Sequence, residues 1–284
     1  MNPLFSLITV VRNDIEGLTC TANSILSQST KDFEWLIVDG YSDDGSYEYA
    51  KSLSTHTFVS LMQTSPKGIY NAMNFGAVNS NSTWIWFINA GDIIISEEIV
   101  DSLTIIARNN SKASIIASSV VYLTPSQHYY SISIPQIICK DASKYALFHH
   151  QGSIMNRRVF LEKGGFDEQF KFAADGKILD SMVTILDPVI LPIVTVGFEM
   201  GGATSSNFWR SLKEIRIYRK PVLAKKTMLI SQIKEIIRAF LLKAIQTSIG
   251  SRLLSSYIIR REKAVLTLAQ KNGIEIPDRG ISFE

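Results

Sequence analysis

The sequence has few cysteines and lacks an apolar run of the length that a membrane-spanning helix needs. Its two cysteines, Cys20 and Cys139, lie far apart and form no Cys-x-x-Cys pair, so neither a disulfide framework nor a zinc site is predicted. We expect two reduced thiols in a cytoplasmic protein. No run of about 18 apolar residues occurs, so no transmembrane span is predicted. Met1 leads directly into PLFSLITVV, which is too short for a signal peptide and predicts a strand.

The length and composition indicate a globular α/β protein. The chain has 284 residues, of which 46% are hydrophobic and 10% aromatic, and this is enough to bury a sizeable core. No fixed-period repeat and no low-complexity tract is present. We therefore expect one large domain, or one domain with a C-terminal extension.

The net charge of +3 hides an uneven distribution. Residues 210–263 contain 14 Lys and Arg against 3 Asp and Glu, whereas the rest of the chain has 15 basic and 23 acidic residues. Within this segment, apolar residues recur at helical spacing over 229–245, with Lys234, Arg238 and Lys243 mainly off the stripe. The pattern predicts a basic amphipathic helix that meets an anionic surface. The alternative is a helix packed on the body with a solvated basic face.

Four continuous apolar segments in the first third of the chain predict buried strands, at residues 4–11, 33–40, 57–64 and 82–92. Helical patterns separate them, and Ser42 or Asp43 is expected to cap the second helix. The β-α-β-α-β-α-β order predicts a mostly parallel sheet with helices on both faces. In such sheets ligands bind beyond the carboxyl ends of the strands, where each of these segments turns polar.

The second half of the chain is predicted to continue with shorter elements. Residues 113–124 indicate a strand, and residues 128–134 indicate a strand in an antiparallel hairpin region. A further strand is expected within 149–158, followed by a short helix that Gly164 and Gly165 stop. Another helix opens near Asp175, and a last strand covers 189–202.

Asp39 and Lys67 are candidate nucleotide contacts. An acidic residue after the second parallel strand can accept hydrogen bonds from a ribose or a base, but VVRNDIEG after the first strand has no glycine-rich phosphate loop. A nicotinamide-dependent enzyme is therefore not expected. Lys67 and Gly68 precede a helix and suit a phosphate or nucleotide edge. The alternatives are an Asp-Gly turn and a solvated lysine in a Ser-Pro-Lys-Gly turn.

The stretch FINAGD places polar residues where an apolar strand stops. Asp92 can hold Mg²⁺ or Mn²⁺, with Asn89 as a supplementary oxygen ligand, because hard cations take oxygen ligands. The alternative is an Asx-type turn or a helix cap. Asp175 is a candidate general base, with a helix N-cap as the alternative. His149 and His150 either line the acceptor or metal side, or form a buried hydrogen-bonded pair.

Four blocks of the sequence together resemble the family-2 glycosyltransferases of the GT-A fold. These blocks are SLITVVRND, FEWLIVDGYSDDGS, SPKGIYNAMNFGAVNSNSTWIWFINAGD and HHQGSIMNRRVFLEKGGFDEQFKFAAD. The resemblance as a whole covers roughly residues 4–200. The resemblance is greatest to bacterial transferases of O-antigen, colanic acid and capsule assembly. It implies a GT-A domain over residues 1–205 and leaves residues 206–284 as a basic, helical extension.

The resemblance also implies roles for individual residues. The nucleotide sugar is expected to contact residues from four strand ends: Thr9, Val11, Asn13, Asp39, Asp43, Lys67, Gly68, Asn89 and Asp92. Asp92 lies in the position of the metal motif, usually Asp-Ala-Asp-Asp, and Asp175 matches the catalytic base, often part of a Glu-Asp pair. Here the motif is Asn-Ala-Gly-Asp and the pair is Ala174-Asp175. Asp92 is then the one carboxylate left in the motif, and weaker binding of Mn²⁺ or Mg²⁺ than in the family is expected.

The implied reaction is inverting transfer of one sugar from a nucleotide sugar, chiefly a UDP-sugar, to a lipid-diphosphate-linked saccharide. The Gln-x-x-Arg-Trp block of processive synthases is absent, and NFWRSL at 207–212 does not fit it. The implied location is the inner face of the cytoplasmic membrane, with no nucleic-acid partner. Two alternatives remain open, a nucleotidyltransferase and a catalytically silent sugar-nucleotide binder.

Overall fold

The computed structural model describes residues 3–123, 129–140, 143–186, 188–199, 208–219, 263–264 and 266–274. The strands are β1 (Phe5–Val11), β2 (Phe33–Asp39), β3 (Val59–Gln63), β4 (Trp84–Phe87), β5 (Asp92–Ile94), β6 (Ile115–Leu123), β7 (Tyr129–Ser133), β8 (Gln136–Lys140), β9 (Ser143–Leu147), β10 (Ser153–Asn156) and β11 (Val189–Glu199). The helices are α1 (Ile15–Leu26), α2 (Ser46–Leu53), α3 (Ile69–Asn79), α4 (Ile99–Asn109), α5 (Arg157–Glu162), α6 (Ala174–Val183) and α7 (Phe208–Tyr218), with a 3₁₀ turn at His150–Gly152.

The central sheet joins a parallel half to a mixed half. Its order is β3-β2-β1-β4-β10-β6-β11-β5, and β7 pairs with β6 at a branch. The strands β3, β2, β1 and β4 are parallel, as predicted. Beyond them β10 is antiparallel to both β4 and β6, β11 is parallel to β6, and β5 is antiparallel to β11. The separate hairpin of β8 and β9 was not predicted from the sequence.

Helices cover both faces of the sheet and enclose two apolar cores. One core receives α1, α2 and α4 and contains the buried Trp35 and Trp86. The other receives α3, α5 and α6 and contains Phe87 and Phe160. The α3 helix packs closely on β1, because a Cβ at Gly76 would stand 2.5 Å from Ile8 Cγ2. This tight packing holds the first residues of α3 near the carboxyl ends of the strands.

The start of α2 differs from the prediction that Ser42 or Asp43 caps it. The helix begins at Ser46 after Gly45, whose φ of 97° is left-handed, and Asp44 Oδ1 accepts the Ser46 amide at 3.0 Å. Ser42 Oγ instead accepts a hydrogen bond from the Asn13 amide at 3.0 Å. The cap prediction is wrong because Ser42 and Asp43 bond to the loop after β1, and Asp44 is the residue that accepts the first amide of the helix.

The later elements follow the sequence pattern. The β7 strand is antiparallel to β6, α5 ends before Gly164 and Gly165, which both have positive φ, and α6 opens one residue before Asp175. The predicted basic helix over 229–245 lies outside the described residues. Within the described ranges, none of the helices combines the length and the apolar character needed to cross a membrane.

Candidate active site

The loops after β1 and β2 are joined by hydrogen bonds at the carboxyl edge of the sheet. Asn13 has a left-handed backbone with φ of 53°, and its Oδ1 accepts the Asp43 amide at 3.0 Å. Tyr41, also left-handed with φ of 58°, is 59% exposed. Non-glycine residues in this conformation are uncommon and concentrate at functional sites. The predicted contacts Asn13 and Asp43 are therefore brought together in one loop pair.

Asp39 is fully buried at the end of β2. Its carboxylate accepts the Ser42 amide at 3.2 Å and the Gln63 side-chain amide at 2.9 Å. The carboxylate thus fixes the loop that follows β2 and joins it to the end of β3. Asp39 lies at the carboxyl end of β2, and a contact between it and a nucleotide remains a prediction.

Thr9 and Val11 are both buried in β1. Thr9 Oγ1 donates to the Ile88 carbonyl at 2.7 Å and accepts from Trp35 Nε1 at 2.9 Å. The Thr9 side chain is therefore used inside the fold, where it ties β1 to the segment after β4. The Val11 carbonyl accepts the Gly40 amide at 2.9 Å. Of the three contacts predicted at this strand end, Asn13 alone has an exposed side chain.

Lys67 and Gly68 lie directly before α3 and are both exposed. Gly68 is the N-cap residue of the helix, with a φ of 134° and no atom within 4 Å of the place where a Cβ would stand. The backbone is therefore open for close approach by another molecule at this point, as the prediction requires. Two residues later, Tyr70 turns inward to the site.

FINAGD forms a tight turn between β4 and β5. The Asp92 amide donates to the Asn89 carbonyl at 2.9 Å, and Asp92 Oδ2 accepts the Asn89 amide at 2.9 Å. Gly91 supplies the left-handed residue, with φ of 90°. Thr21 Oγ1 of α1 donates to the Asp92 carbonyl at 2.7 Å and anchors the turn from behind. Asp92 therefore closes the turn with its own carboxylate.

Burial raises the pKa of the Asp92 carboxyl to about 7. The residue is only 5% exposed, and a charged carboxylate loses hydration there. The charge of His150, the Asn89 amide and the Gln151 side chain act in the opposite direction and favour the ionised form. Near neutral pH the Asp92 carboxyl is thus divided between its protonated and ionised forms.

Asp175 lies in the first turn of α6 and contacts two other elements. Its Oδ2 is 3.2 Å from His150 Nδ1, and its Oδ1 accepts a hydrogen bond from the Tyr70 hydroxyl at 3.2 Å. On its other side, His150 Nε2 is 3.4 Å from Asn89 Nδ2. A line of polar groups therefore connects the predicted base to the FINAGD turn.

The surroundings of Asp175 keep its carboxylate ionised. Burial acts to raise the pKa of this carboxyl, but the hydrogen bond and charge of His150 outweigh it and hold the pKa below the usual value. Burial and the Asp175 charge raise the pKa of Tyr70, so its hydroxyl keeps the proton that it donates. Asp175 therefore has the charge state that a proton acceptor needs at neutral pH.

The two adjacent histidines have different roles. Burial lowers the pKa of His149 to about 4, and its Nε2 is 2.9 Å from the Tyr122 hydroxyl. His149 is thus half-buried and bonds to Tyr122 rather than pairing with His150, as the alternative interpretation had expected. His150 instead faces the site between Asp175 and Asn89. The sequence indicated both histidines as candidates but gave no spacing signal to separate them.

A divalent cation is implied by the resemblance, and the chemistry of the FINAGD turn fits one. Asn89 Oδ1 is buried and makes no hydrogen bond within the described part of the chain, which leaves an oxygen ligand available beside the Asp92 carboxylate. No cluster of three or more His, Cys, Asp or Glu suited to a metal occurs among the described residues. Mg²⁺ is commonly bound by one or two protein oxygens, and substrate phosphates and water then complete its coordination shell.

The sequence comparisons identify the family. Residues 6–164 match the family described as Glycosyl transferase family 2, and the chain belongs to this family of glycosyltransferases. An uncharacterized glycosyltransferase of Mycobacterium tuberculosis is 24% identical over 205 residues, covering 72% of this chain and 78% of its own. A glycosyltransferase of PGL/p-HBAD biosynthesis from Mycobacterium bovis is 26% identical over 176 residues, covering 61% and 67%.

Comparison with solved structures confirms the GT-A fold. Staphylococcus aureus TarS in complex with UDP-GlcNAc superposes with a TM-score of 0.60 at 13% identity, covering 96% of this chain and 88% of that chain. The mannosyltransferase PcManGT of Pyrobaculum calidifontis, in complex with GDP-Man and Mn²⁺, gives a TM-score of 0.54 at 13% identity, with 96% and 84% covered. The fold and enzyme class predicted from the sequence are thus confirmed.

Proposed function

We propose that this glycosyltransferase inverts the anomeric carbon while moving one sugar from a UDP-sugar to a hydroxyl of a lipid-diphosphate-linked saccharide. The observation that carries the proposal is the half-buried Asp175 carboxylate, held by Tyr70 and His150 beside the FINAGD turn. Assembly of surface polysaccharide, as O-antigen or capsule, is the proposed context.

The donor is proposed to lie across the ends of β1, β2 and β4. Asp39, Asn13 and Asp43 contact the nucleoside, and Lys67 with the open backbone at Gly68 lies at its edge. The TarS complex with UDP-GlcNAc supports a uridine donor on this fold. Asn89 and Asp92 would hold a divalent cation, which when bound neutralises charge on the leaving diphosphate.

The chemical step needs a proton acceptor on the face opposite the leaving group. Asp175 takes the proton of the acceptor hydroxyl while that oxygen bonds to the anomeric carbon and the bond to the diphosphate breaks. Tyr70 remains protonated and orients one carboxylate oxygen, whereas His150 orients the other. General-base assistance of this kind contributes about 10²- to 10⁴-fold to a rate.

The acceptor is proposed to be reached at a membrane surface through the basic segment Lys213–Lys263. The α7 helix overlaps the start of this segment and has an exposed face with Trp209 at 76% and Ile217 at 59% exposure. Arg210, Lys213 and Arg216 are exposed on the same helix. Aromatic and basic side chains together suit the interface of an anionic bilayer.

The first experiment is a calorimetric titration of UDP with Mn²⁺ and then with chelator, using wild type and Asp92→Ala. Binding that needs the metal and weakens in the variant supports the diphosphate site. If UDP binds with the same affinity in chelator and in Asp92→Ala, Asp92 serves only to form the turn. Absence of UDP binding overturns the uridine donor, and GDP is then the next nucleotide to titrate.

The second experiment compares Asp175→Asn with Asp101→Asn, an exposed aspartate in the first turn of α4. With the donor and acceptor found by screening, Asp175→Asn is expected to lose about 10²- to 10⁴-fold in turnover while UDP affinity is unchanged. Asp101→Asn is expected to keep both. Turnover retained in Asp175→Asn would overturn the assignment of the base, and wild type that binds donor without turnover would indicate a silent binder.

A further inference from the structure

The α7 helix lies outside the region matched to the family, yet one of its faces packs on α6. Leu212 on this face and Arg219, the residue directly after the helix, are 2% and 4% exposed. The Phe170 and Tyr218 rings meet edge to face with centroids 6.0 Å apart. Arg219 Nε donates to Asp180 Oδ2 at 2.6 Å, and both residues are buried. The α6 helix, which carries Asp175, is thus bound along its length by a helix from the C-terminal region.

Glu214 makes the contact nearest to the base. Its Oε1 accepts the Lys171 amide at 3.0 Å, and its Oε2 accepts the Phe172 amide at 2.8 Å and the Ala173 amide at 3.0 Å. These are the three residues directly before α6. One carboxylate therefore fixes three consecutive backbone amides, and charge-assisted bonds of this type are stronger than neutral ones.

The α6 helix has no capping group of its own at this end. Its N-cap residue is Ala173, whose side chain cannot accept a hydrogen bond. Amides at a helix start need an acceptor, which a neighbouring Ser, Thr, Asp or Asn usually supplies. Glu214, about 40 residues later in the chain, instead accepts the amides of residues 171–173, so it fixes the N-cap residue and the segment that leads into the helix. Asp175 is two residues beyond the last amide that Glu214 holds.

The space beside Asp175 is also closed from α7. A Cβ at residue 176 would stand 2.3 Å from the Tyr218 hydroxyl, so Gly176 permits the two helices to meet directly after Asp175. The contacts of Glu214 and Tyr218 therefore lie on both sides of Asp175 in the sequence. Displacement of α7 would release the backbone on which the carboxylate depends for its place beside Tyr70 and His150.

We propose that Glu214 is a positioning residue, which sets the place of the Asp175 carboxylate by holding the amides of residues 171–173. The α7 helix then contributes to the active site by supplying Glu214. The effect on turnover rests on the proposed role of Asp175 as base, whereas the effect on the backbone does not. A shift of about 1 Å in a reacting group can cost 10²-fold in rate, so loss of this support matters for catalysis.

The test compares Glu214→Ala, Glu214→Gln and Glu214→Asp with Glu162→Gln, which removes an exposed carboxylate on α5. Hydrogen exchange of the full-length chain is measured by mass spectrometry for the segment containing residues 171–176 and, as an internal reference, for β1 and β2. UDP affinity and turnover are measured on the same samples.

We expect faster exchange in segment 171–176 for Glu214→Ala, with β1 and β2 unchanged. Turnover is expected to fall about ten- to a hundredfold while UDP affinity stays constant. Glu214→Gln and Glu214→Asp, which keep an acceptor oxygen, are expected to restore part of both losses, and Glu162→Gln to behave as wild type.

Unchanged exchange in Glu214→Ala overturns the proposal, as does faster exchange without any loss of turnover. Equal loss in all three Glu214 variants together with weaker UDP binding indicates general destabilisation, and this also overturns the positioning role. Should wild type show no turnover with any donor, the proposed function fails, while the exchange data still decide whether Glu214 holds the start of α6.

Discussion

His150 Nδ1 lies 3.2 Å from Asp175 Oδ2, and the same imidazole reaches toward Asn89 with its other nitrogen. The contact joins the start of α6 to the 3₁₀ turn before β10. It sets the carboxylate in place and favours its charged form. In many enzyme sites a carboxylate and an imidazole fix each other's orientation through such a contact.

The first prediction concerns the pH dependence of the base. Because His150 lowers the pKa of Asp175, His150→Gln is expected to raise that pKa, so the acidic limb of the kcat profile moves to higher pH. A ¹³C NMR titration of the Asp175 carboxyl in chelator measures the same shift without turnover. His149→Gln is the matched control. It is expected to shift the pKa of Asp175 less, because the charge of His149 has a smaller effect on that pKa than His150 has. An unmoved limb and an unmoved titration would contradict the role of His150.

The parallel half of the fold could be predicted from the sequence because three of its four strands, β1, β2 and β4, are buried on both faces. The segments containing β1, β2 and β4 are continuous apolar runs, and their polar ends meet at one edge by the geometry of parallel sheets. The sequence therefore indicated Asn13, Asp39, Asn89 and Asp92 as candidate site residues, because each follows or ends one of these strands. Thr9 was also named, but a polar residue inside an apolar strand gives no sign of the direction in which it points.

The catalytic contacts could not be predicted, since they join residues distant in the chain. Asp175 meets Tyr70 across 105 residues and His150 across 25. Glu214 holds amides that are 41 to 43 residues earlier. No periodicity relates such positions, because tertiary packing alone decides the pairing. The cap of α2 was mispredicted for the same reason, as Ser42 bonds to a neighbouring loop instead of its helix.

The second prediction concerns metal binding by Asp92. With a pKa of about 7, this carboxyl keeps part of its proton at pH 6.5, and a cation must displace it. Calorimetry of Mn²⁺ binding with UDP at pH 6.5, in buffers of different ionisation enthalpy, is expected to show proton release of up to about one equivalent. The release should diminish as the pH rises above about 7, and Asp92→Asn should abolish it. Release that is the same in Asp92→Asn would place the proton on another group.

The third prediction concerns stability in the absence of metal. An unfolded aspartate has a pKa of about 3.9, whereas folded Asp92 has one of about 7, so between these values the folded protein holds the extra proton. The contribution of Asp92 to stability is therefore present at acidic pH and decreases as the pH rises from about 4 to about 7. Urea unfolding in chelator should show a flatter pH profile for Asp92→Asn than for wild type or Asp101→Asn.

The fourth prediction concerns the exposed face of α7. Replacing Arg210, Lys213 and Arg216 by Gln is expected to reduce sedimentation with phosphatidylglycerol vesicles by about tenfold or more, because each basic residue near an anionic surface contributes about 1 kcal/mol. Phosphatidylcholine vesicles should bind neither protein strongly. The matched control replaces Lys112, Arg158 and Lys163, three exposed cations elsewhere, and is expected to keep binding. Equal loss in both variants would mean that net charge, not α7, attracts the chain.

The last prediction separates the stability of the α6–α7 contact from its role in positioning. Arg219 and Asp180 form a buried pair, and Arg219 also donates to the Ala146 carbonyl at 2.6 Å. Arg219→Met leaves a buried carboxylate without its partner and is expected to cost about 3–5 kcal/mol in urea unfolding.

The double variant Asp180→Asn/Arg219→Met is expected to recover part of this loss, because no unpaired charge remains buried. Arg158→Met, which breaks an exposed pair with Glu162, should cost less than about 1 kcal/mol. A loss in Arg219→Met as small as that in Arg158→Met would show that α7 adds little to the stability of α6. Glu214 would then have to hold the start of α6 without support from Arg219.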